Sequence, residues 1–299
     1  MRADGPFPSV AGAGATVLAG TASAGQLRFV AAELTSAVEE ARRRLDLGPL
    51  STLAFSHTAL AAAMLLPLAA KRPHRLEVEV LGDGLVGKVM VEARSDGGLR
   101  GTVQVPRAVG EGGVDDLRLD AAFGKGLLRV RRVDERGSRY ESQVGLVQGD
   151  LALDLAHYLD QSEQRRAAVL FGVRLDARGL RRCGGLIVEA LPGTSASAVD
   201  EVERRIRELD SVHGAVESRG AEGVETLLAA AIGEHHRVHD RWPVGFRCGC
   251  SREGLRQRLL ELGGDQLREL FETEETVSAE CAYCAETYLF EREDLLEAN

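Results

Sequence analysis

The sequence predicts an α+β fold in three parts: an N-terminal domain of mixed, mostly antiparallel sheet with packed helices, a helical linker, and a small C-terminal four-cysteine domain. Three observations support this prediction. Apolar and polar residues alternate along much of the first two thirds of the chain, which is typical of half-buried strands. The stretch "LPGTSASA" then separates these strands from charged segments of helical periodicity. Finally, four of the five cysteines occur after residue 247.

The composition excludes one broad class of function. The 299 residues favour about two domains, one of them large enough for a proper core. Apolar residues make up 44% and charged residues 28%, as is usual for globular proteins. Because the formal net charge is −9, the chain lacks the excess of Lys and Arg that phosphate contacts require. We therefore expect no nucleic-acid partner.

Residues 1–26 are rich in Gly and Ala, and we expect them to form a flexible N-terminal tail. They lack the basic start and the uninterrupted apolar core of a secretory signal. The longest apolar run, "ALAAAMLLPLAA", has about 12 residues, whereas a membrane span needs about 20. We therefore expect no membrane segment and a cytoplasmic location, where thiols stay reduced.

Residues 27–192 are predicted to form the α+β core domain. The segment "SHTALAAAMLLPLA" is apolar on every side, which predicts a buried central helix. Because the strands are joined by turns such as "LGDG" more often than by helical crossovers, the sheet should be mostly antiparallel. The strand candidates are "RLEVEV", "VGKVMVEA", "LRGTVQV", "LLRVRRV", "RYESQVGLV", "AVLFGVRL" and "GLIVEAL".

Residues 193–243 are predicted to form a metastable helical linker. Val202, Ile206 and Leu209 recur at helical spacing, as do Val224 and Leu227, while the other faces carry Glu and Arg. Short amphipathic helices are only marginally stable alone in water. The linker should therefore take its stability from the surface on which it docks.

Residues 244–299 contain two close pairs of cysteines. Cys248 and Cys250 form a CxC pair, and after 30 intervening residues Cys281 and Cys284 form a CxxC pair. Four thiols in two pairs suit tetrahedral Zn(II), because each short loop can direct two sulfurs at one ion. A domain of this size has too small a core to be stable unaided, and metal binding would supply the missing stability.

The four cysteines leave more than one function open. A permanently bound structural zinc ion is one alternative, in which the thiols never change redox state. A disulfide oxidoreductase is less favoured, because the CxxC lacks the βαβ context that activates such thiols.

The other candidate ligands and nucleophiles have simpler explanations. A lone cysteine such as Cys183 is usually a small buried apolar residue. His235 and His239 have a spacing that could bind a metal on one helical face, but we interpret "EHHRVH" as a solvated helix. No nucleophile with a base partner is evident, so we predict no enzyme active site.

The cysteine pattern and several other motifs resemble one known family. "CSRE" follows the first pair, and "YCAETYLFEREDL" surrounds the second. "LGDG", "FGKG", "RYESQVGL", "YLDQSEQ" and "GGLIVEALPG" occur in the order and spacing of the same family's N-terminal domain. Nearly the whole chain after about residue 25 is similar to the heat-shock protein 33 family, the redox-regulated 33-kDa chaperonins.

The resemblance implies an ATP-independent holdase chaperone that is inactive when reduced and bound to zinc. On oxidation, Cys248 would pair with Cys250 and Cys281 with Cys284, with release of zinc. The small domain would then lose its stabilising metal and the linker its dock, so that exposed apolar surface binds unfolded or partly folded client proteins. The family also implies a homodimer on activation. The alternative from another class is a constitutive structural-zinc scaffold or binding protein without redox switching.

Overall fold

The structure, a computed structural model, describes residues 14–69, 74–110, 112–147, 149–209, 221–272 and 275–296. It divides into two compact units, Met1–Phe246 and Arg247–Asn299. The strands of the first unit are β1 (Thr16–Ala22), β2 (Leu27–Glu33), β3 (Arg75–Gly82), β4 (Lys88–Arg94), β5 (Gly98–Val103), β6 (Gly126–Val133), β7 (Arg139–Gly145), β8 (Ala167–Asp176), β9 (Gly179–Ala190), β10 (His236–Pro243) and β11 (Gly245–Phe246). Its helices are α1 (Thr35–Arg44), α2 (Pro49–Leu68), α3 (Leu119–Phe123), α4 (Leu151–Glu163), α5 (Ala196–Glu208) and α6 (Ala221–Ile232).

The first unit contains two sheets, which confirms the predicted α+β class. Sheet A has the strand order β10-β1-β2-β9-β8, and sheet B has the order β11-β5-β4-β3-β6-β7. Neighbouring strands pair antiparallel, except for the parallel pairing of β11 with β5. Short turns between successive strands account for the β1–β2, β3–β4, β4–β5, β6–β7 and β8–β9 pairings, whereas β1–β10, β2–β9 and β3–β6 pair strands that are distant in sequence.

Helix α2 is the central core helix, as its composition predicted. It shares one apolar core with residues from both sheets. The hydroxyl groups of Ser56 and Thr58 donate to the carbonyls of Thr52 and Ala54 one turn earlier, so both buried hydroxyls have a hydrogen-bond partner. Among the described residues, α2 is also the one helix long and apolar enough to cross a membrane, and 89% of that stretch is buried inside the first unit.

A second apolar core lies on the other face of sheet A, where the linker helices dock. Leu18, Phe29 and Leu186 of the sheet are completely buried there, together with Leu227 and Leu228 of α6. Val202 of α5 belongs to the same core. The apolar stripes of the linker sequence therefore cover an apolar sheet surface, as expected for helices too short to be stable alone.

The prediction of a flexible tail over residues 1–26 is wrong from Thr16 onward. Residues 16–22 form β1, an inner strand of sheet A between β2 and β10; residues 1–13 lie outside the described part of the chain. The small residues that suggested flexibility serve close packing instead. A Cβ at Gly20 would lie 2.0 Å from the Arg237 carbonyl oxygen and 2.6 Å from Cζ of Phe29, so only glycine fits there.

The prediction of a helical linker up to residue 243 is wrong at its end. Residues 236–243 form the edge strand β10, paired with β1, so His235 and His239 do not share a helix face. Nε2 of His239 lies 2.9 Å from Oγ1 of Thr21 on the neighbouring strand. Exposure alternates along "HRVHDRWP", as is typical of a strand. The many charged residues of this segment hid that alternation in the sequence.

Cys183 is buried in the first core, as its sequence context predicted. Its side chain is completely inaccessible, and its Sγ lies 3.9 Å from the carbonyl oxygen of Ser56. Burial raises the pKa of the Cys183 thiol well above its ordinary value, which keeps it protonated and unreactive.

Candidate metal centre

The second unit is small and has its own apolar core. Its elements are α7 (Arg252–Leu260), α8 (Gly264–Leu270), β12 (Thr276–Glu280), β13 (Thr287–Glu291) and α9 (Arg292–Leu296). The fully packed residues of its core are Leu267, Phe271, Phe290 and Leu295. Burying a side chain of this kind contributes about 1.5–3 kcal/mol to stability. The stabilisation from so few buried side chains is small compared with the conformational entropy lost when the unit folds.

Cys281 and Cys284 lie in the tight turn that joins β12 to β13. The Cys281 amide donates to the Glu286 carbonyl at 2.9 Å, and the amides of Cys284 and Ala285 donate to the Cys281 carbonyl at 3.2 and 2.8 Å. These bonds fold the CxxC loop back on itself and hold its two sulfurs close together. The loop has one strained residue, since Ala285 has a φ of 57°.

Replacing Ala285 with glycine should stabilise the second unit. Left-handed backbone costs an alanine about 1–2 kcal/mol, and glycine is free of this cost but loses more entropy on folding. We expect Ala285→Gly to raise the free energy of unfolding of this unit by about 1 kcal/mol, measured by hydrogen exchange of the β12 and β13 amides. The matched control is Ala279→Gly in β12, which should lower that free energy; stabilisation by both changes would contradict the explanation.

Cys248 and Cys250 precede α7 on a stretch without helix or strand. The Ser251 hydroxyl accepts a hydrogen bond from the Gly254 amide at 3.1 Å and caps this helix. The next residue, Arg252, donates to Asp294 at 2.6 Å and lies over the Phe290 ring, 4.9 Å from its centroid. These contacts hold the CxC segment against β13 and α9.

The four sulfurs of Cys248, Cys250, Cys281 and Cys284 come together within 4.8 Å of one another. The Cys248 and Cys281 sulfurs are 3.7 Å apart, and the Cys250 and Cys284 sulfurs 3.4 Å apart. A tetrahedral ion with sulfur ligands at about 2.3 Å would place these atoms about 3.8 Å apart. The sulfur positions and the donor set therefore fit one tetrahedral metal ion.

The sulfurs differ in their surroundings. Cys281 and Cys284 are buried, and burial raises the pKa of both thiols. Burial also acts to raise the pKa of Cys250, but hydrogen bonds from Tyr288 and the neighbouring cysteines outweigh it and lower that pKa. A divalent cation would hold all four groups as thiolates by offsetting their mutual repulsion.

Tyr288 is part of this site, although sequence reasoning did not single it out. Its hydroxyl lies 3.4 Å from the Cys250 sulfur, and this contact raises the pKa of Tyr288 to about 12. The sequence feature that could have identified Tyr288 is an aromatic side chain with a polar end, placed four positions after Cys284.

Comparison with known proteins identifies the family. The family model described as "Hsp33 protein" matches residues 16–291 of the chain. The chain belongs to the Hsp33 family. Relatives in this family are named 33 kDa chaperonins, so membership supports a chaperone function.

The similarity to Hsp33 relatives extends over almost the entire chain. The 33 kDa chaperonin of a Thermus thermophilus strain is 36% identical over 291 aligned positions, covering 93% of this chain and 85% of the relative. That of Desulforamulus reducens is 34% identical, covering 92% and 93%. The crystal structure of the Hsp33 homologue from Thermotoga maritima superposes with a TM-score of 0.85 at 29% identity, covering 96% of this chain and 97% of that one. The similarity therefore includes both the α+β unit and the four-cysteine unit.

Proposed function

We propose that this Hsp33 chain is a redox-regulated, ATP-independent holdase, inactive when reduced and bound to zinc, and active when oxidised. The observation that carries the proposal is the cluster of four cysteine sulfurs in a unit with a very small core. The proposal places the protein in the cytoplasm, where the resting state of such thiols is reduced.

In the resting form, Cys248, Cys250, Cys281 and Cys284 would be the metal ligands. A zinc ion bound to them would supply folding free energy, about 10–16 kcal/mol in small zinc domains. The CxC segment and the CxxC turn lie on opposite sides of the α7–α8 insert in sequence, so joining their sulfurs closes the second unit. Four thiolate ligands leave no open position for a substrate, which suits a structural and regulatory role.

Oxidation would convert the four thiols into two disulfides. Each disulfide forms when two thiolates give up two electrons to one molecule of hydrogen peroxide, which takes up two protons from water and is reduced to two molecules of water. The sulfurs within each motif are near enough for this reaction, since all four lie within 4.8 Å. The pairing of Cys248 with Cys250 and of Cys281 with Cys284 is taken from the family pattern alone. The shortest sulfur contacts in the reduced form instead join one motif to the other.

Loss of the folded second unit would release the linker. The chain passes from β10 and β11 directly into the CxC segment, so the linker and the sulfur cluster are neighbours in sequence. Once α5 and α6 leave sheet A, the side chains of Leu18, Phe29 and Leu186 become an exposed apolar surface. A contiguous apolar surface of this kind is suited to binding unfolded chains. The family pattern adds that the active form is a homodimer.

Treatment with hydrogen peroxide or hypochlorous acid tests the proposal. We expect the reduced protein to release one zinc ion per chain, to lose four thiols, to form dimers by light scattering and to begin suppressing aggregation of a denatured test protein. Zinc loss without gained anti-aggregation activity would instead identify a constitutive structural-zinc scaffold. Catalytic reduction or isomerisation of a test disulfide would identify a thiol-exchange enzyme.

A further inference from the structure

We propose that a cavity in the first unit binds a small, neutral, mostly apolar molecule, and that the bound molecule fastens strand β10 to helix α2. The cavity lies entirely within the first unit and has no residue in common with the metal centre. We call it the Trp242 cavity. Its apolar walls include Val17, Ala63, Leu66, Leu99, Trp242 and Val244, and its rim is the turn 94–98 with His74 and Glu135.

The Trp242 cavity has the size and the lining of a ligand site. Its volume is about 330 Å³, within the range of about 300–1,000 Å³ that is typical of small-molecule pockets. Ala63 and Leu99 are only 5% and 0% exposed and belong to the first core, so they form a closed floor. Leu66, Trp242 and Val244 are only partly buried. An occupant would remove their remaining apolar surface from water, which favours an apolar molecule.

The rim of the Trp242 cavity favours an uncharged ligand. Arg94 and Asp96 form an ion pair with each other, and Asp96 also accepts a hydrogen bond from the Gly98 amide at 2.8 Å. Glu135 adds an exposed carboxylate, and His74 is the other titratable side chain there. A bound carboxylate would be repelled by Glu135 and would lose its hydration beside a guanidinium that is already paired. A hydroxyl or carbonyl group needs only a hydrogen bond to the polar groups of the turn.

The walls of the Trp242 cavity join elements that are far apart in sequence. Leu66 lies near the end of α2, whereas Trp242 lies near the end of β10, an edge strand held on one side by β1. A molecule that contacts both can bind only while β10 is in place. By linkage, a ligand at ten times its Kd then favours the closed arrangement by about elevenfold.

The position of β10 gives this binding a consequence for the switch. Strand β10 leads through β11 into the CxC segment, so a molecule that fastens β10 would also oppose release of the linker. This consequence alone rests on the proposed function. The binding site itself does not depend on it.

Trp242 reports binding directly, because it is the only tryptophan of the chain. The probe is a bromonaphthol, a neutral two-ring molecule whose bromine quenches tryptophan fluorescence on contact. We expect saturable quenching in the reduced protein with a Kd of about 10–100 μM, as suits a compact apolar ligand. The bromonaphthoic acid with the same rings should bind at least about tenfold more weakly, because its carboxylate must be desolvated. Absence of saturable quenching by the bromonaphthol would overturn the proposal, and so would equal or tighter binding of the acid.

Val244→Phe fills the Trp242 cavity and keeps its tryptophan as the reporter. We expect this variant to bind the bromonaphthol at least about tenfold more weakly, with thermal unfolding close to that of the wild type. Val147→Phe is the matched control, since Val147 is 64% exposed and does not line the cavity. If Val244→Phe does not fold, Ala63→Leu fills the floor instead and should weaken binding equally. Wild-type affinity in a folded filling variant would contradict the assignment of the site.

Hydrogen exchange measures whether the bound molecule fastens β10. At ten times the Kd of the bromonaphthol, the β10 amides should exchange up to about elevenfold more slowly. Strand β7, at the far edge of sheet B, is the internal reference and should be unaffected. Unchanged exchange in β10, or equal slowing in β7, would overturn the proposal. Both measurements use the reduced protein: if oxidised protein gains no chaperone activity while the bromonaphthol still binds and protects β10, the proposed function fails and the Trp242 cavity stands as a ligand site.

Discussion

Cys284→Ser is expected to prevent the proposed metal binding by the reduced protein and to unfold the second unit. Cys284 is buried at the CxxC turn, and a serine hydroxyl neither ionises at neutral pH nor replaces a soft sulfur ligand. Loss of one ligand in four should remove most of the roughly 10–16 kcal/mol that a structural zinc ion contributes. Elemental analysis gives the metal content, and hydrogen exchange reports the loss of protection in β12 and β13.

Cys183→Ser provides the matched control for this experiment. Cys183 is the fifth cysteine; it is completely buried in the core of the first unit and is not one of the four clustered sulfurs of the second unit. Its replacement should lower the stability of the first unit and leave one zinc ion per chain. Full metal content and full exchange protection in Cys284→Ser would show that the sulfur cluster does not stabilise the unit.

Leu227→Ala is expected to make the reduced protein an active chaperone without any oxidant. Leu227 of α6 is completely buried against sheet A, and truncating such a leucine costs about 2–5 kcal/mol. Because α6 has 12 residues and is only marginally stable alone, this loss should undock it and expose the sheet surface around Phe29. Suppression of aggregation and binding of an apolar dye, both measured under reducing conditions, report the result.

Glu225→Ala on the same helix is the control for Leu227→Ala. Glu225 is exposed and pairs with Arg241 at 2.8 Å, a surface contact worth at most about 1 kcal/mol. This variant should remain inactive until it is oxidised. If Leu227→Ala loses stability yet stays inactive when reduced, the surface beneath α6 is not where clients bind.

The sulfur cluster could be predicted from the sequence because its geometry is local. The CxC and CxxC motifs each bring two sulfurs together within a few residues, so that only the approach of the two motifs depends on the fold. The central helix could also be predicted from the sequence, because a segment that is apolar on all sides is almost always buried. Strands β3 and β4 carry clear alternation and are joined by a short connection, which made their antiparallel pairing predictable.

The elements that the sequence concealed depend on distant partners. Strand β1 is built largely of small residues, and its identity depends on pairing with β10, more than 200 residues away. Strand β10 is an edge strand with charged exposed positions, so its composition resembles that of the charged linker helices before it. The contact of Tyr288 with Cys250 depends on the register of the β12–β13 hairpin, which no local pattern specifies.

The strand order of sheet A determines when this protein can fold during its synthesis. Strand β1 lies between β2, which follows it at once, and β10, which is synthesised more than 200 residues later. Pairings between such distant segments form slowly, and a nascent chain without β10 carries an unpaired strand edge. The sheet is therefore completed late in translation, and until then the emerging polypeptide is itself a molecule that other chaperones can bind.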